Sequence, residues 1–134
     1  MKFREAYDHQ ILKMTDTFYK AYPNPPFQEI LQKTNRAYDC LLLQAHYDYF
    51  ICIPYRSHIS HPYAYHFRES ARSRKSHSGL DYSKTVIIQN PEYITSENAI
   101  IDHDEYVETI TNIEQIRKEV SSLKNLNAGI SSHR

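Results

Sequence analysis

Two apolar runs separated by a few polar residues constrain this chain most. The first, Ala37 to Gln44, carries Tyr38, Cys40, Leu41, Leu42 and Leu43. The second, Tyr49 to Tyr55, carries Phe50, Ile51, Cys52 and Ile53. The link His46-Tyr47-Asp48 is short enough for an antiparallel hairpin. Leu42 beside Leu43 implies burial on both faces over part of the first strand.

The remaining pattern fits an α+β fold. Tyr7, Ile11, Met14, Phe18 and Tyr22 follow helical spacing and predict an amphipathic helix from about Glu5 to Tyr22, ended by Pro23, Pro25 and Pro26. Phe27 to Gln32 suits a short helix or turn. Arg56 to Gly79 reads as loop, short strand from Tyr63 to Phe67, then loop. Thr85 to Gln89 is a third clear strand, followed by a turn at Asn90-Pro91, and Ala99 to Ile101 is a short edge-strand candidate. Asp104 to about Leu126 predicts the longest helix, with an apolar stripe of Tyr106, Val107, Ile110, Ile113, Ile116, Val120 and Leu123. The tail after Asn127 reads as frayed. The expected architecture is one α+β domain over residues 1–134, an antiparallel sheet with a helix at each end of the chain packing on it.

Formal net charge is zero, but the charge is unevenly placed. From Pro54 to Lys84 six bases face two acids, and His58, His61, His66 and His77 fall in the same stretch. From Asn90 to Val120 eight acids face two bases. A neutral total thus hides a basic centre and an acidic C-terminal segment. Cys40 and Cys52 sit in apolar runs and read as reduced core residues without metal-site spacing. The first residues contain no apolar stretch of signal length, and no apolar run is long enough to span a membrane. The expected location is therefore the cytoplasm, with no membrane partner. Neither a phosphate loop nor a Gly-x-Ser-x-Gly elbow is present, and the four histidines lack helical His-x3-His spacing, so no metal and no cofactor are expected.

Four segments carry residues suited to chemistry. In Ile53-Pro54-Tyr55-Arg56-Ser57-His58-Ile59-Ser60-His61 a buried strand runs into Arg, Ser and two His. Arg offers planar donors for phosphate oxygens, and His transfers protons near neutral pH. In Ser78-Gly79-Leu80-Asp81-Tyr82-Ser83-Lys84, Gly79 stands where the backbone needs positive φ or a close approach to a ligand, and Tyr82, Ser83 and Lys84 add a ring, a hydroxyl and a cation. Lys33-Thr34-Asn35-Arg36 precedes the first strand. Arg68, Arg72, Arg74 and Lys75 form a serine-interleaved basic run suited to an RNA backbone. Each segment taken alone reads first as an ordinary solvated loop or turn.

Taken together, four pieces in order resemble the toxins of type III toxin–antitoxin systems, closest to the TenpN and CptN branch of the ToxN-like endoribonucleases. They are Phe18-Tyr19-Lys20-Ala21-Tyr22-Pro23, Asn35-Arg36-Ala37-Tyr38, Phe50 through His61, and Ser78-Gly79-Leu80-Asp81-Tyr82-Ser83-Lys84 running into Val86-Ile87-Ile88. The resemblance implies a compact twisted antiparallel sheet flanked by N- and C-terminal helices, and a metal-independent endoribonuclease that leaves a 2′,3′-cyclic phosphate on cellular or phage RNA. It also implies an antitoxin RNA of repeated pseudoknots, which the toxin cuts from a precursor and then binds in a closed toxin–RNA assembly. ToxN-like enzymes carry Thr-Ser followed by Lys after the strand that ends in Pro. Here the stretch reads Arg56-Ser57-His58-Ile59, so the Thr and the Lys are absent and Arg56 or His61 takes the place of that cation. Ser57 matches directly, Arg36 matches the basic residue before the first strand, and Lys84 matches the lysine ahead of the last core strand.

In that reading Arg56 and Lys84 meet the developing phosphorane charge, Ser57 holds a non-bridging oxygen, and His58 or His61 serves as base or acid. Tyr82 positions a base, while Arg36, Arg68, Arg72, Arg74, Lys75 and Ser83 contact RNA. A non-catalytic RNA-binding module is the alternative, and it would need neither Ser57 nor a positioned His. A third reading is a protein-interaction domain that uses the acidic helix.

Overall fold

The computed structural model of the chain describes residues 9–23, 39–46, 49–95 and 99–122. Within them the fold is α+β, a six-stranded antiparallel sheet with four helices. The strands are β1 (Ile11–Lys13), β2 (Asp39–His46), β3 (Tyr49–Arg56), β4 (Ala64–His66), β5 (Gly79–Asp81) and β6 (Val86–Ile88). The helices are α1 (Asp16–Ala21), α2 (Ala71–Ser76), α3 (His103–Thr111) and α4 (Ile113–Ser122).

The β2–β3 hairpin forms as its apolar runs predict, with Leu41 opposite Ile53 and Leu43 opposite Ile51. Its two-sided burial follows from strand alternation. Cys40, Leu42, Phe50 and Cys52 face one core with Leu12, Phe18, Tyr22, Val86 and Ile88. Leu41, Leu43, Ile53 and Tyr55 face the other with Leu80, Tyr82, Ile116 and Val120. Helix α1 covers the first face and α4 the second. Both cysteines are buried and unbridged. No helix among the described residues is long and apolar enough to cross a membrane.

The far edge of β3 is divided. Its first half pairs with β6 (Phe50 with Ile88, Cys52 with Val86) and its last residues pair with β5 (Tyr55 with Leu80, Arg56 with Gly79). Strands β5 and β6 therefore lie along one line, interrupted by a 3-10 turn at Tyr82–Lys84. The interruption falls opposite Ile53 and Pro54, and proline has no N–H to give to a ladder. This break lifts Ser83 and Lys84 out of the sheet beside the end of β3.

Several expectations are corrected. The predicted N-terminal helix is a strand followed by a short helix. Ile11 and Leu12 must reach opposite faces of the sheet, which a strand permits, and β1 pairs with β2 (Ile11 with Leu41, Leu12 with Cys40). Thr15 then caps α1 by accepting from the Phe18 N–H. The predicted basic loop contains α2, started by Ser70, whose side chain accepts from Ser73 N. Ala99 to Ile101 is not a strand, although Ala99 N donates to Ile11 O. The long C-terminal helix is broken at Asn112 into α3 and α4. The apolar stripe holds for Ile116 and Val120 but fails in α3, which buries Glu105, Glu108 and Thr109 and exposes Tyr106 and Val107. The Phe27 to Gln32 segment, Arg36 and the chain beyond residue 122 lie outside the described residues.

Candidate functional site

Strand β5 is reached through a close backbone approach. Gly79 lies opposite both Arg56 and His66, and a Cβ there would overlap the carbonyl oxygen of Tyr65. Only glycine fits, and the reason is neither positive φ nor a ligand but the backbone of the neighbouring strand. The approach sets Asp81 at the end of β5 behind Arg56.

Asp81 is 0% exposed and organises the first cluster. Its Oδ2 accepts from Arg56 at 2.7 Å. Its Oδ1 accepts from the Ser83 hydroxyl at 2.6 Å, from Ser83 N at 3.0 Å, and lies 3.2 Å from His61 Nε2. Burial pushes the carboxyl upward, but the hydrogen bonds from Ser83 and Arg56 and the charges of His61 and Arg56 outweigh it and hold it below the usual range. A buried carboxylate with this many donors is a fixed negative centre that orients a guanidinium.

His61 is occupied at both ring nitrogens. Its Nδ1 accepts from Tyr63 N at 3.1 Å, and its Nε2 lies 3.2 Å from Asp81 Oδ1 and 3.3 Å from Ser83 Oγ. His61 thus acts as a strut for the turn rather than as a ready proton acceptor.

A second buried carboxylate, Glu105 on α3, organises the other side. It is 0% exposed and accepts from Ser70 Oγ at 3.1 Å and Ser78 Oγ at 2.6 Å. It also holds Arg72, with Nη1 3.4 Å from Oε1. The other end of the same guanidinium, Nη2, donates to Ser57 Oγ at 2.5 Å. Because that oxygen accepts, the Ser57 O–H remains available to donate. Glu108, one turn on, accepts from Tyr65 OH at 2.7 Å and from the N–H groups of Arg68 and Glu69. Both buried acids of α3 thereby bind the segment that carries α2 to the sheet.

The structure brings Arg56, His61 and Ser83 together around Asp81, and joins Ser57 directly to Arg72, which Glu105 holds. His58 follows Ser57, is exposed, and has a φ of 59°. Its N–H donates to Ser76 O at 2.5 Å. Lys84 ends the 3-10 turn, half-buried. Arg74 and Lys75 are exposed on α2, and Arg68 is exposed with its guanidinium 6.0 Å from the Tyr65 ring centroid. Arg36 is outside the described residues.

Tyr82 is a correction. It is 2% exposed, packs in the second core and donates its hydroxyl to Glu119 at 2.7 Å, so it offers no stacking face. The exposed ring is that of Tyr63, 46% exposed and 6.1 Å centroid to centroid from His61. Sequence reasoning missed Tyr63 as well as Asp81 and Glu105. Asp81 had a signal, being one of two acids in a basic stretch. Glu105 had none, because it lies 33 residues beyond the arginine it holds.

Among the described residues, no three His, Cys, Asp or Glu side chains come together as a metal site. An open cleft of about 420 Å³ between His9, Ile100, His103 and Tyr106 shares no residue with either cluster. The chain matches no family model, no curated protein and no solved structure.

Proposed function

We propose that this protein is a metal-independent endoribonuclease, the toxin of a type III toxin–antitoxin pair in the TenpN and CptN branch, with a ToxN-like arrangement of its sheet and helices. The observation that carries the reading is Ser57 flanked by two arginines, each held from behind by a fully buried carboxylate. Arg56 is held by Asp81 and Arg72 by Glu105. Such anchoring spends part of each guanidinium on the protein and leaves its other donors in a fixed direction. Preorganised cationic donors are what a phosphorane transition state needs.

The reaction is attack of a ribose 2′-OH on the adjacent phosphorus, with the 5′-oxygen leaving. Arg56, Arg72 and Lys84 meet the developing negative charge, and the Ser57 hydroxyl donates to a non-bridging oxygen. Tyr63, rather than Tyr82, stacks on a base beside the scissile phosphate. The exposed face of α2, with Arg74 and Lys75, follows the RNA backbone together with Arg68. The antitoxin, a repeated pseudoknot RNA, occupies the same groove after being cut and closes the toxin–RNA assembly in the cytoplasm. Its affinity falls by about one log unit per log unit of salt for each phosphate neutralised.

The test is induced expression of wild type beside Ser57→Ala and Lys84→Ala, with mapping of RNA 5′ ends. New ends at a short recurring motif, lost in the variants, support the nuclease. Folded wild-type protein that binds RNA with steep salt dependence and makes no new ends is instead a non-catalytic RNA-binding module.

A further inference from the structure

We infer that His58 and His77 are the acid–base pair of the cleavage step, an assignment that rests on the nuclease reading above. Four histidines lie between residues 58 and 77, and the structure divides them into two kinds. His61 has both ring nitrogens engaged, with Tyr63 N and Asp81. His66 directs its Nε2 at the carbonyl oxygen of His61, 2.9 Å away. These two brace the turn. The imidazoles of His58 and His77 are exposed, and neither ring meets a hydrogen-bond partner among the described residues.

The backbone holds His58 and His77 side by side. Successive N–H groups, of His58 and Ile59, donate to successive carbonyls, of Ser76 and His77, at 2.5 and 3.1 Å. In an extended strand successive N–H groups point to opposite sides. Here both reach the same neighbour because His58 turns through the left-handed region, with φ 59°. His77 is left-handed too, with φ 49°, as the residue that ends α2. Glycine or asparagine adopts this conformation at less cost than histidine. Both positions nevertheless carry the side chain that changes charge near neutrality.

The surroundings suit proton transfer to and from a phosphodiester. Ser57 precedes His58, and Arg72, in the first turn of the helix that His77 ends, donates to the Ser57 oxygen. The charged side chains of the adjoining segments are Arg56, Arg72, Arg74 and Lys75, with Glu69 and Asp104 beside the opposite, N-terminal end of α2. The carboxylates behind Arg56 and Arg72, Asp81 and Glu105, are buried and paired. One imidazole takes the proton of the 2′-OH as the bond from the 2′-oxygen to phosphorus forms. The other, as imidazolium, gives its proton to the 5′-oxygen as the bond from phosphorus to that oxygen breaks. The products are a 2′,3′-cyclic phosphate and a 5′-hydroxyl end, with no further reactant.

The experiment uses purified full-length protein and a short RNA spanning a cut mapped in the expression test, read as single-turnover cleavage against pH. His58→Asn and His77→Asn keep a side chain compatible with positive φ, and His77→Gly is a second variant should His77→Asn melt below wild type. Wild type is expected to give a bell-shaped profile. Each variant is expected to fall about 10²–10⁴-fold and to lose one limb of the bell. The same RNA with sulfur in place of the scissile 5′-oxygen has a leaving group that needs no proton. It is expected to rescue only the variant that lacks the acid, which assigns the two roles. A folded His77 variant that cleaves within threefold of wild type with both limbs intact overturns the pair and leaves the nuclease reading standing. Absence of cleavage by wild type overturns both.

Discussion

Replacing Asp81 by asparagine tests the organisation of the site most directly. Asparagine keeps the shape, and its oxygen still accepts from the Ser83 hydroxyl and N–H, which lie 2.6 and 3.0 Å from Oδ1. Its amide NH2 then faces the Arg56 guanidinium, donor against donor, where a 2.7 Å charged hydrogen bond stood. Removing one member of a buried ion pair costs about 3–5 kcal/mol. Arg56 keeps 29% of its side chain in water and is partly rehydrated, so the loss reduces to about 2–3 kcal/mol. In a domain of this length that lowers Tm by roughly 6–15 °C. Thermal and urea unfolding at pH 7 measure it, and a double-mutant cycle with Arg56→Met isolates the pair, for which a coupling of about 1–3 kcal/mol is expected. A stability loss under about 0.5 kcal/mol, or a coupling of zero, would refute the view that Asp81 fixes Arg56.

The same carboxylate gives a pH dependence. Its folded value is depressed below that of the unfolded chain, about 3.9 for aspartate, so its contribution is complete above that pH and is lost as pH falls through the folded value. Unfolding titrations should therefore show wild type losing stability more steeply than Asp81→Asn below about pH 4. Gly79→Ala forces a Cβ onto the Tyr65 backbone carbonyl, which cannot move without parting β4 from β5. A destabilisation of about 1–3 kcal/mol is expected in urea unfolding, and a neutral result would contradict the close approach. Burial, then the charge of Asp39, pushes the Cys40 thiol up to about 12, and burial raises Cys52 as well. Neither thiol should react with a chromogenic disulfide reagent at pH 8 except at the rate of unfolding.

The sequence by itself determined the hairpin, the two-sided burial of the sheet, the strand after Lys84 and the polar exit at Arg56. In each case local alternation of apolar side chains, or a buried strand meeting a polar run, leaves little choice of state. Tertiary structure decided the rest. Residues 11 and 12 satisfy helical spacing as well as strand alternation, and pairing with β2 chose the strand. In α3, Tyr106 and Val107 belong to the apolar stripe, yet the buried face carries Glu105, Glu108 and Thr109. Those acids find Arg72, Ser70, Ser78, Tyr65 and the N–H groups of Arg68 and Glu69 waiting beneath them. A buried carboxylate is tolerated only when such donors converge on it, and donors more than 25 residues away leave no trace in its local pattern. Tyr82 and Tyr63 are the same residue type near the same site, but the break between β5 and β6 turns one into the core and leaves the other in solvent. The four histidines likewise look alike as letters. Only the folded backbone spends two of them on the turn and leaves His58 and His77 side by side at the surface.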